Sequence, residues 1–426
     1  MVSGRIGGRL TWLIVMMASI LFINFIDRGN LATVGPLLID ELHLTNAQFG
    51  LLLSAFYFTY APAQLVAGWL CERVSISRVL AVGVTIWSLT TAATGLVSSF
   101  SGLLGMRLLL GMGESIVFPA TAKLFSQFIP EERRGIANGW VAAGLSIGPA
   151  IGTSMGTWLA TLFSWRASFL TFGLFSLTWL WPWSRFSRKL SLGTAQVTGP
   201  HTSYAEMLSK RAAWGAFLGH FSSNFSFYAL ISWLPTYLVK VRGFSMEQMG
   251  IVGGFAFYSV IAVSGLLAGL VSDRLIARGA SVTVVRKVCI VLGQCGVGVC
   301  LLLCAWLPSI ALVGLLVSAV FLGMVSPSVY SIPQTLAGPR AAGQWMGMQN
   351  FFGSLAGIIA PFATGLIIDR YGNYDLAFGL ASAVTFAGAA AWGLLIPRVE
   401  AITWRADASR SKLNWVGRGS DRTSVS

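Results

Sequence analysis

Four charged residues lie inside stretches of sequence that are otherwise apolar enough to cross a membrane. Asp27 and Arg28 are neighbours in the segment 24–28 (NFIDR), and Arg107 and Glu114 lie seven residues apart in a later apolar segment. Charges at membrane depth are costly, and they usually face a cavity, pair with each other, or mark the path of a substrate or a proton. These four residues are therefore the first candidates for function.

Arg28 is the candidate ligand for an anion. Its guanidinium can hold a carboxylate through two parallel hydrogen bonds, and it stays charged at any physiological pH. The alternative is a structural arginine that pairs with Asp27 or with an acid of the fourth apolar segment, where Glu114 lies.

Asp27 points about 100° around the helix from Arg28, so the two side chains do not share one face. Asp27 lies ~25 Å along the first apolar helix and Arg107 lies early in the fourth, which places both in the outer half of the membrane. We expect an Asp27–Arg107 ion pair that opens when Asp27 is protonated and so helps the cavity change state. The alternative is a permanent structural pair.

Glu114 lies two helical turns beyond Arg107, close to the same face and ~10 Å away. The small neighbours Gly111, Gly113 and Ser115 keep bulk away from its carboxylate. An acid in this position suits the binding and release of a proton, so Glu114 is predicted to couple transport to protons. The alternative is a structural partner for Arg28.

Uncharged polar residues are expected to complete a substrate site. A buried Tyr or Asn in a membrane helix can equally hold helices together, so this prediction has a structural alternative. His220, Asn224 and Tyr228 follow one another at intervals of four; His220 is predicted to be structural, whereas Tyr228 is placed to face the cavity. The residues predicted to contact substrate are Arg28, Tyr60, Tyr330, Asn350 and Ser354.

The composition identifies the class of protein that must position these residues. Of the 426 residues 55% are hydrophobic and 10% are charged, whereas soluble domains carry about 25% charged residues. In a soluble chain the net charge of +14 would indicate nucleic acid, but here the basic residues cluster in alternate loops, as the positive-inside rule predicts. The five cysteines show no zinc-type spacing. We expect a polytopic α-helical membrane protein without nucleic-acid partner, metal or cofactor.

Twelve apolar segments, each near the ~20 residues needed to cross a bilayer, are predicted to span the membrane. We number them span 1 to span 12: 10–38, 46–71, 78–98, 102–127, 135–160, 166–185, 213–239, 248–272, 286–306, 309–333, 343–368 and 374–396. The expected units are a first six-helix bundle (1–184), a linker (185–211), a second bundle (212–397) and a basic, disordered tail (398–426).

The basic residues also predict the orientation. If both termini are cytoplasmic, only four of the 29 lysines and arginines fall in outer loops, namely Arg166, Lys240, Arg242 and Arg370. The reverse orientation would invert this strong bias. We expect a monomer in the inner cell membrane, with span 1 retained rather than cleaved as a signal peptide.

A short motif recurs after spans 2 and 8, and this repeat indicates two homologous halves. In each copy a glycine is followed, four and five residues later, by an acid and an arginine. Internal repeats are typical of secondary transporters, whose sites lie between the repeat units. The motif residues are Gly68, Glu72 and Arg73 in the first half, and Gly269, Asp273 and Arg274 in the second.

The chain resembles a transporter of the major facilitator superfamily, and more narrowly of its anion:cation symporter family. The superfamily resemblance rests on the loop motif that begins at Gly68, with Glu72 and Ser75 as departures from the usual Asp and Gly. The narrower resemblance rests on the segments 24–28, 107–119, 233–237 and 350–357. It implies twelve helices in two pseudo-symmetric six-helix bundles, alternating access, and an Arg28 that contacts the carboxylate of an organic acid.

The predicted function is proton-coupled import of a small organic anion, such as a sugar acid or an aromatic acid. Phe25 stands where family members often carry Tyr, which favours a less hydroxylated substrate than a sugar acid. The alternatives are anion exchange or export, a membrane receptor that does not transport, and an intramembrane enzyme. The segment 144–152 resembles the glycine–proline motif of antiporters, although close helix packing explains the same residues.

Overall fold

The computed structural model describes residues 2–44, 46–189, 202–307, 311–372 and 374–404, and within these ranges it consists of helices and their short connections, without a strand. The helices of the first half are α1 (Val2–Thr33), α2 (Gly35–Leu42), α3 (Asn46–Arg73), α4 (Ile76–Thr94), α5 (Phe100–Glu114), α6 (Val117–Phe128), α7 (Glu131–Leu162), α8 (Trp165–Thr178) and α9 (Leu180–Lys189). Those of the second half are α10 (Tyr204–Leu208), α11 (Arg211–Thr236), α12 (Met246–Met249), α13 (Phe257–Ala277), α14 (Val282–Trp306), α15 (Ala311–Tyr371) and α16 (Asp375–Ala390).

These helices form the twelve predicted spans in two six-helix bundles. Eight segments of the described chain are long and apolar enough to cross a membrane, and the longest, Ala311–Ile368, holds both span 10 and span 11. Helices α7 and α11 and the pair α8–α9 supply spans 5, 7 and 6. Short π-helical segments extend spans 7, 8 and 12.

Two continuous helical stretches are interrupted beside a proline, which removes a helical hydrogen bond. Span 4 is divided between α5 and α6, because Pro119 has no N–H to donate to the carbonyl of Ser115 one turn earlier. Within α15 the only non-helical residue is Gly338, at φ 65° and ψ 177°, and Pro339 follows it. A residue with a side chain would be strained at this φ, so Gly338 marks the junction between spans 10 and 11.

The exterior of the bundles is apolar over most of its height. Large hydrophobic side chains are more than half exposed on spans of both halves, among them Phe58, Val82, Val263, Leu292 and Phe362. Soluble proteins rarely expose apolar surface on this scale. The surface is therefore one that faces lipid.

Glycines on α7 allow span 5 to pack directly against the backbone of span 1. A methyl group at Gly144 or Gly148 would come within 2.8 Å of the carbonyl oxygen of Ala18 or Phe22, respectively. Small residues permit such close approach between membrane helices. The glycines of the segment 144–152 thus hold the part of α1 that carries the Asp27–Arg28 pair.

The predicted linker and tail differ in part from expectation. Helix α9 continues to Lys189, beyond the predicted boundary at 184, and residues 190–201 and 405–426 lie outside the described residues. Residues 399–404, which we define as the clamp segment, are packed rather than disordered. Val399 and Trp404 are buried, the N–H of Ile402 donates to the Leu336 carbonyl (2.9 Å), and Trp404 Nε1 donates to the Ala337 carbonyl (3.0 Å). The expectation of disorder from 398 onward is wrong here because apolar anchors interrupt the basic sequence.

Candidate functional site

The five residues predicted to contact substrate line one cavity between the two halves. Arg28 and Tyr60 reach it from α1 and α3, and Tyr330, Asn350 and Ser354 reach it from α15. Tyr228, which the helical spacing placed toward the cavity, also lines it. Spans 1, 2, 7, 10 and 11 thus converge on one central space.

Arg28 lies at the first-half wall of this cavity and is held from behind by Glu114. Its Nε donates to Oε2 of Glu114 at 2.9 Å, and Glu114 is fully buried. Three aromatic rings surround the guanidinium, with centroids 4.4 Å (Phe25), 5.0 Å (Phe56) and 4.5 Å (Tyr60) from its central carbon. Aromatic faces attract a cation and replace part of the water it would otherwise bind.

The Arg28–Glu114 pair leaves one polar atom of each partner unused. Nη2 of Arg28 and Oε1 of Glu114 are both buried and have no hydrogen-bond partner among the described residues. Buried polar groups normally have partners, so unused ones require an explanation. Nη2 lacks an acceptor and Oε1 lacks a donor, so the pair can take up an anion on one side and a proton on the other.

Asp27 and Arg107 lie behind the cavity, and the ion pair expected between them is not formed. No ion pair within 4.0 Å joins these two described residues. Asp27 instead faces Thr91, whose Oγ1 is 3.5 Å from Oδ2, and Arg107 Nε donates to the Leu52 carbonyl at 3.3 Å and lies 5.4 Å from the Phe56 ring. The sequence placed both residues in one half of the membrane, but it does not fix how α1 and α5 are rotated.

The wall contributed by the second half is polar but uncharged. Among the described residues of that half that line the cavity there is no Lys, Arg, Asp or Glu. Its polar members include His220, which sequence reasoning had treated as structural, and Asn350, whose Nδ2 is buried without a hydrogen-bond partner among the residues that the structure describes. The wall from the first half therefore carries the charge of Arg28, whereas the described residues of the wall from the second half are uncharged.

Glu72 of the first loop motif joins the two halves at the predicted cytoplasmic end. Its Oε1 accepts from the Gly343 N–H (2.9 Å) in α15, and its other oxygen is paired with Lys123 of α6. Gly68 lies against the same turn, where a methyl group would come within 2.7 Å of the Gly343 carbonyl.

Asp273 of the second loop motif makes the equivalent contact with α7. Its two carboxylate oxygens accept from the N–H groups of Gly135 (2.9 Å) and Ile136 (2.6 Å), and Arg286 donates to Oδ1 at 2.8 Å. Gly269 packs directly against Gly135. In both motifs an acidic side chain of one half therefore accepts hydrogen bonds from backbone N–H groups of a helix in the other half.

The basic partners of these acids are residues that sequence reasoning missed. Lys123 and Arg286 are buried at the ends of spans 4 and 9, so the four charges first singled out are not the only ones buried in the spans. Arg73 instead stacks on Trp69 at 4.5 Å, and Arg274 is exposed. Lys123 lies within the predicted span 4, and that position was the signal that could have identified it.

Further inter-half hydrogen bonds close the same end of the cavity. The amides of Asn138 and Gln334 bond to each other in both directions at 3.0 and 2.9 Å, and Arg134 donates to Thr335 at 3.0 Å. Access to the cavity from the predicted cytoplasmic end is therefore blocked in this conformation.

At the opposite end, Glu41 ties α2 to α8. Trp165 Nε1 donates to Oε2 of Glu41 at 2.5 Å, and Arg166 pairs with the other oxygen. The hydrogen bonds from Trp165 and Arg166 hold the pKa of the Glu41 carboxyl below its ordinary value.

Known proteins resemble this chain along most of its length. It is 29% identical to a probable sulfoacetate transporter of Cupriavidus necator over 88% of this chain and 91% of that protein. It is 29% identical to a hexuronate transporter of Bacillus subtilis (84% and 88%) and 26% identical to a D-galactonate transporter of Escherichia coli (94% and 98%). The crystal structure of the E. coli fucose:proton symporter shares the fold, with a TM-score of 0.65 at 16% identity over 88% of this chain and 97% of that one.

The model of the Major Facilitator Superfamily matches residues 17–361 and 283–420. This match covers most of the sequence and agrees with the two six-helix bundles and the cavity between them. The protein is a transporter rather than an enzyme, and it belongs to the Major Facilitator Superfamily.

Proposed function

We propose that this transporter couples the import of a small organic anion, a carboxylate or a closely related acid, to the import of a proton. The observation that carries the proposal is the Arg28–Glu114 pair, with an unused donor on Arg28 and an unused acceptor on Glu114. Transporters of sulfoacetate, hexuronate and galactonate are among the chain's relatives, and each of these molecules is an anion.

A count of charges explains why an anion would require a proton. Asp27, Arg28, Arg107 and Glu114 are two acids and two bases, and the buried pair Glu72–Lys123 adds one of each, so the interior of the first bundle is neutral when all six are ionised. An arriving monoanion leaves one uncompensated negative charge in a medium of low dielectric constant, which is strongly unfavourable. One proton on Glu114 removes that charge and frees the guanidinium for the substrate. We assign Asp27, with Arg107 near it, as the second protonation site on the proton path.

The loop motifs would control access during this cycle. In the conformation described above, Glu72 and Asp273 hold the two halves together at the end that we assign to the cytoplasm. Occupation of the cavity by both anion and proton would permit rocking of the bundles and release of these contacts. We further propose that the chain acts as a monomer in the inner membrane, with both termini cytoplasmic.

Uptake into proteoliposomes tests the proposal. The probes are radiolabelled D-galactonate, D-glucuronate, 4-hydroxybenzoate and sulfoacetate, each offered with and without an inward proton gradient. We expect at least one probe to accumulate only with the gradient, and its uptake to be lost in Arg28→Gln. The matched control is Arg278→Gln, which changes an exposed arginine outside the cavity.

Two results would contradict the proposal. If the uptake of every probe is independent of the proton gradient but is stimulated by an anion inside the vesicles, the protein is an exchanger rather than a symporter. Saturable binding of a probe without any uptake would indicate a receptor.

A further inference from the structure

The orientation of the Gln349 side-chain amide is fixed by two partners whose hydrogen-bonding roles are unambiguous. Trp345 Nε1, which can only donate, lies 3.2 Å from Gln349 Oε1. The Val329 carbonyl oxygen, which can only accept, lies 3.1 Å from Gln349 Nε2. Gln349 Nε2 also lies 3.0 Å from His220 Nδ1, so Nδ1 must accept its second hydrogen.

This chain of hydrogen bonds determines the tautomer of His220. An imidazole whose Nδ1 accepts a hydrogen bond is neutral and carries its proton on Nε2. His220 lines the cavity, and its Nε2 has no hydrogen-bond partner among the described residues. Gly353 lies directly against the Cδ2–Nε2 edge of the ring, where a methyl group would come within 2.7 Å of Nε2, so only a glycine leaves room for the imidazole in this position.

A second donor without a partner belongs to the same wall. Asn350 Nδ2 is buried and has no hydrogen-bond partner in the described chain, and the residue lines the cavity one turn before Ser354. The donors of this wall are uncharged, in contrast to Arg28 on the opposite wall. Uncharged donors satisfy a hydroxyl or carbonyl oxygen, whereas a second carboxylate would bring a charge for which the wall has no counter-ion.

We propose that His220 determines specificity by donating from Nε2 to an uncharged acceptor of the substrate, remote from the anionic group that Arg28 holds. Asn350 offers a second donor beside it, and Gln349 and Trp345 are positioning residues that fix the imidazole tautomer. The preferred substrates are hydroxy or oxo monoacids rather than diacids. This inference rests on the proposed function and narrows its substrate class.

Binding to variants in lipid nanodiscs tests the donor. His220→Gln retains an N–H near the Nε2 position, whereas His220→Phe fills the site without a donor. With D-galactonate or 4-hydroxybenzoate as the probe, we expect His220→Phe to weaken binding about three- to tenfold, as for one neutral hydrogen bond, and His220→Gln to bind within about twofold of the wild type. Binding of benzoate, which lacks the remote acceptor, should be unchanged in both variants, and galactarate should bind less tightly than galactonate.

Several results would overturn the inference while leaving anion transport intact. An equal loss for benzoate and 4-hydroxybenzoate in His220→Phe would show a structural role only. Unchanged binding of all probes in His220→Phe, or equal affinity for galactarate and galactonate, would remove the specificity claim. If no monoacid binds to the wild type, both the proposed function and the substrate claim fail.

Nitrogen NMR of the histidine side chains decides the tautomer independently of any substrate. The chain has three histidines, and the spectrum of His220→Gln identifies the signals of His220 by their loss. We expect the pattern of a neutral imidazole with its proton on Nε2 at pH 7; a proton on Nδ1, or an imidazolium, would overturn the inference. Trp345→Phe removes one of the two partners that orient Gln349 and leaves the Val329 carbonyl, so this variant should keep most of the Nε2 tautomer and lose only a part of the affinity that depends on the remote acceptor.

Discussion

The variant Glu114→Gln separates anion binding from proton coupling. Glutamine keeps the shape of the buried glutamate and an oxygen for Arg28 Nε, which lies 2.9 Å from the carboxylate in the wild type. It removes the negative charge permanently and so mimics the protonated state. We expect the variant to bind the anion at all pH values, to exchange labelled for unlabelled anion, and to lose accumulation driven by a proton gradient.

The size of the effect follows from the geometry of the pair. If a substrate carboxylate occupies the free side of the Arg28 guanidinium, its charge lies about 5 Å from that of Glu114. At an effective dielectric constant of about 20 this repulsion is about 3 kcal/mol, or about a hundredfold in affinity. The affinity of the wild type for the anion should therefore fall by up to about tenfold for each unit of increase in pH over the range in which Glu114 ionises. The affinity of the variant should not depend on pH.

Isothermal titration of the anion at a series of pH values measures the slope, and counterflow in proteoliposomes measures exchange. Glu132→Gln, which changes an exposed glutamate outside the central cavity, is the matched control and should behave like the wild type. Gradient-driven accumulation by Glu114→Gln, or a pH slope equal to that of the wild type, would refute the role given to Glu114.

Three further predictions concern the contacts around the cavity. Asp273→Asn weakens the charged hydrogen bonds to α7, each worth about 1.5–3 kcal/mol. Ser331 is fully buried at the inter-half contact and accepts from Asn138 Nδ2 at 3.1 Å, so the reporter cysteine of Ser331→Cys in a cysteine-free background should become at least about tenfold more reactive from the cytoplasmic side. Trp404→Ala should destabilise the protein by about 3–5 kcal/mol, measured by thermal unfolding, because a buried ring and its hydrogen bond to Ala337 are lost. Glu41→Gln should reduce the thermal midpoint at pH 7 by up to about 2 °C, as for an exposed ion pair. Because the pKa of Glu41 is lowered on folding, its stabilisation is present above the ordinary carboxyl pKa and is lost as the pH falls below about 4, so the wild type and the variant should converge there.

Each of these predictions has a control and a contrary outcome. Asp40→Asn alters an acid beyond the inter-half contacts and should leave the reactivity of position 331 unchanged; equal reactivity in Asp273→Asn would show that the contact does not hold the closed state. Deletion of 405–426 should leave stability intact, and an effect as large as that of Trp404→Ala would contradict the packing argument. A constant difference between Glu41→Gln and the wild type from pH 7 to pH 3 would exclude titration of Glu41.

Much of the fold was predictable because a bilayer imposes a strict length on apolar helices. The twelve spans and the two loop motifs follow from hydropathy and from repeated glycines and acids, and the cavity collects all five residues predicted to contact substrate. The weak points were local. The sequence located the break between spans 10 and 11 within 334–342 but did not single out Gly338 as its one non-helical residue, and Trp404 is hidden in a basic tail.

The electrostatic partners were harder to predict because they depend on how helices are rotated about their axes. Arg28 and Glu114 could each be assigned to a span, but two pairings of the four charges were compatible with the sequence. The structure forms the Arg28–Glu114 pair and not the Asp27–Arg107 pair. The position of His220 on α11 likewise gave no sign of Gln349, which lies more than a hundred residues later and fixes its proton.

The clamp segment has a consequence for biosynthesis. It covers the Gly338 junction of α15 but is translated after span 12, so the carbonyl groups of Leu336 and Ala337 receive their donors only after the last span has been synthesised. A nascent chain that has already inserted every span still lacks this cover. For the same reason an affinity tag belongs after Trp404, where it leaves the indole in place.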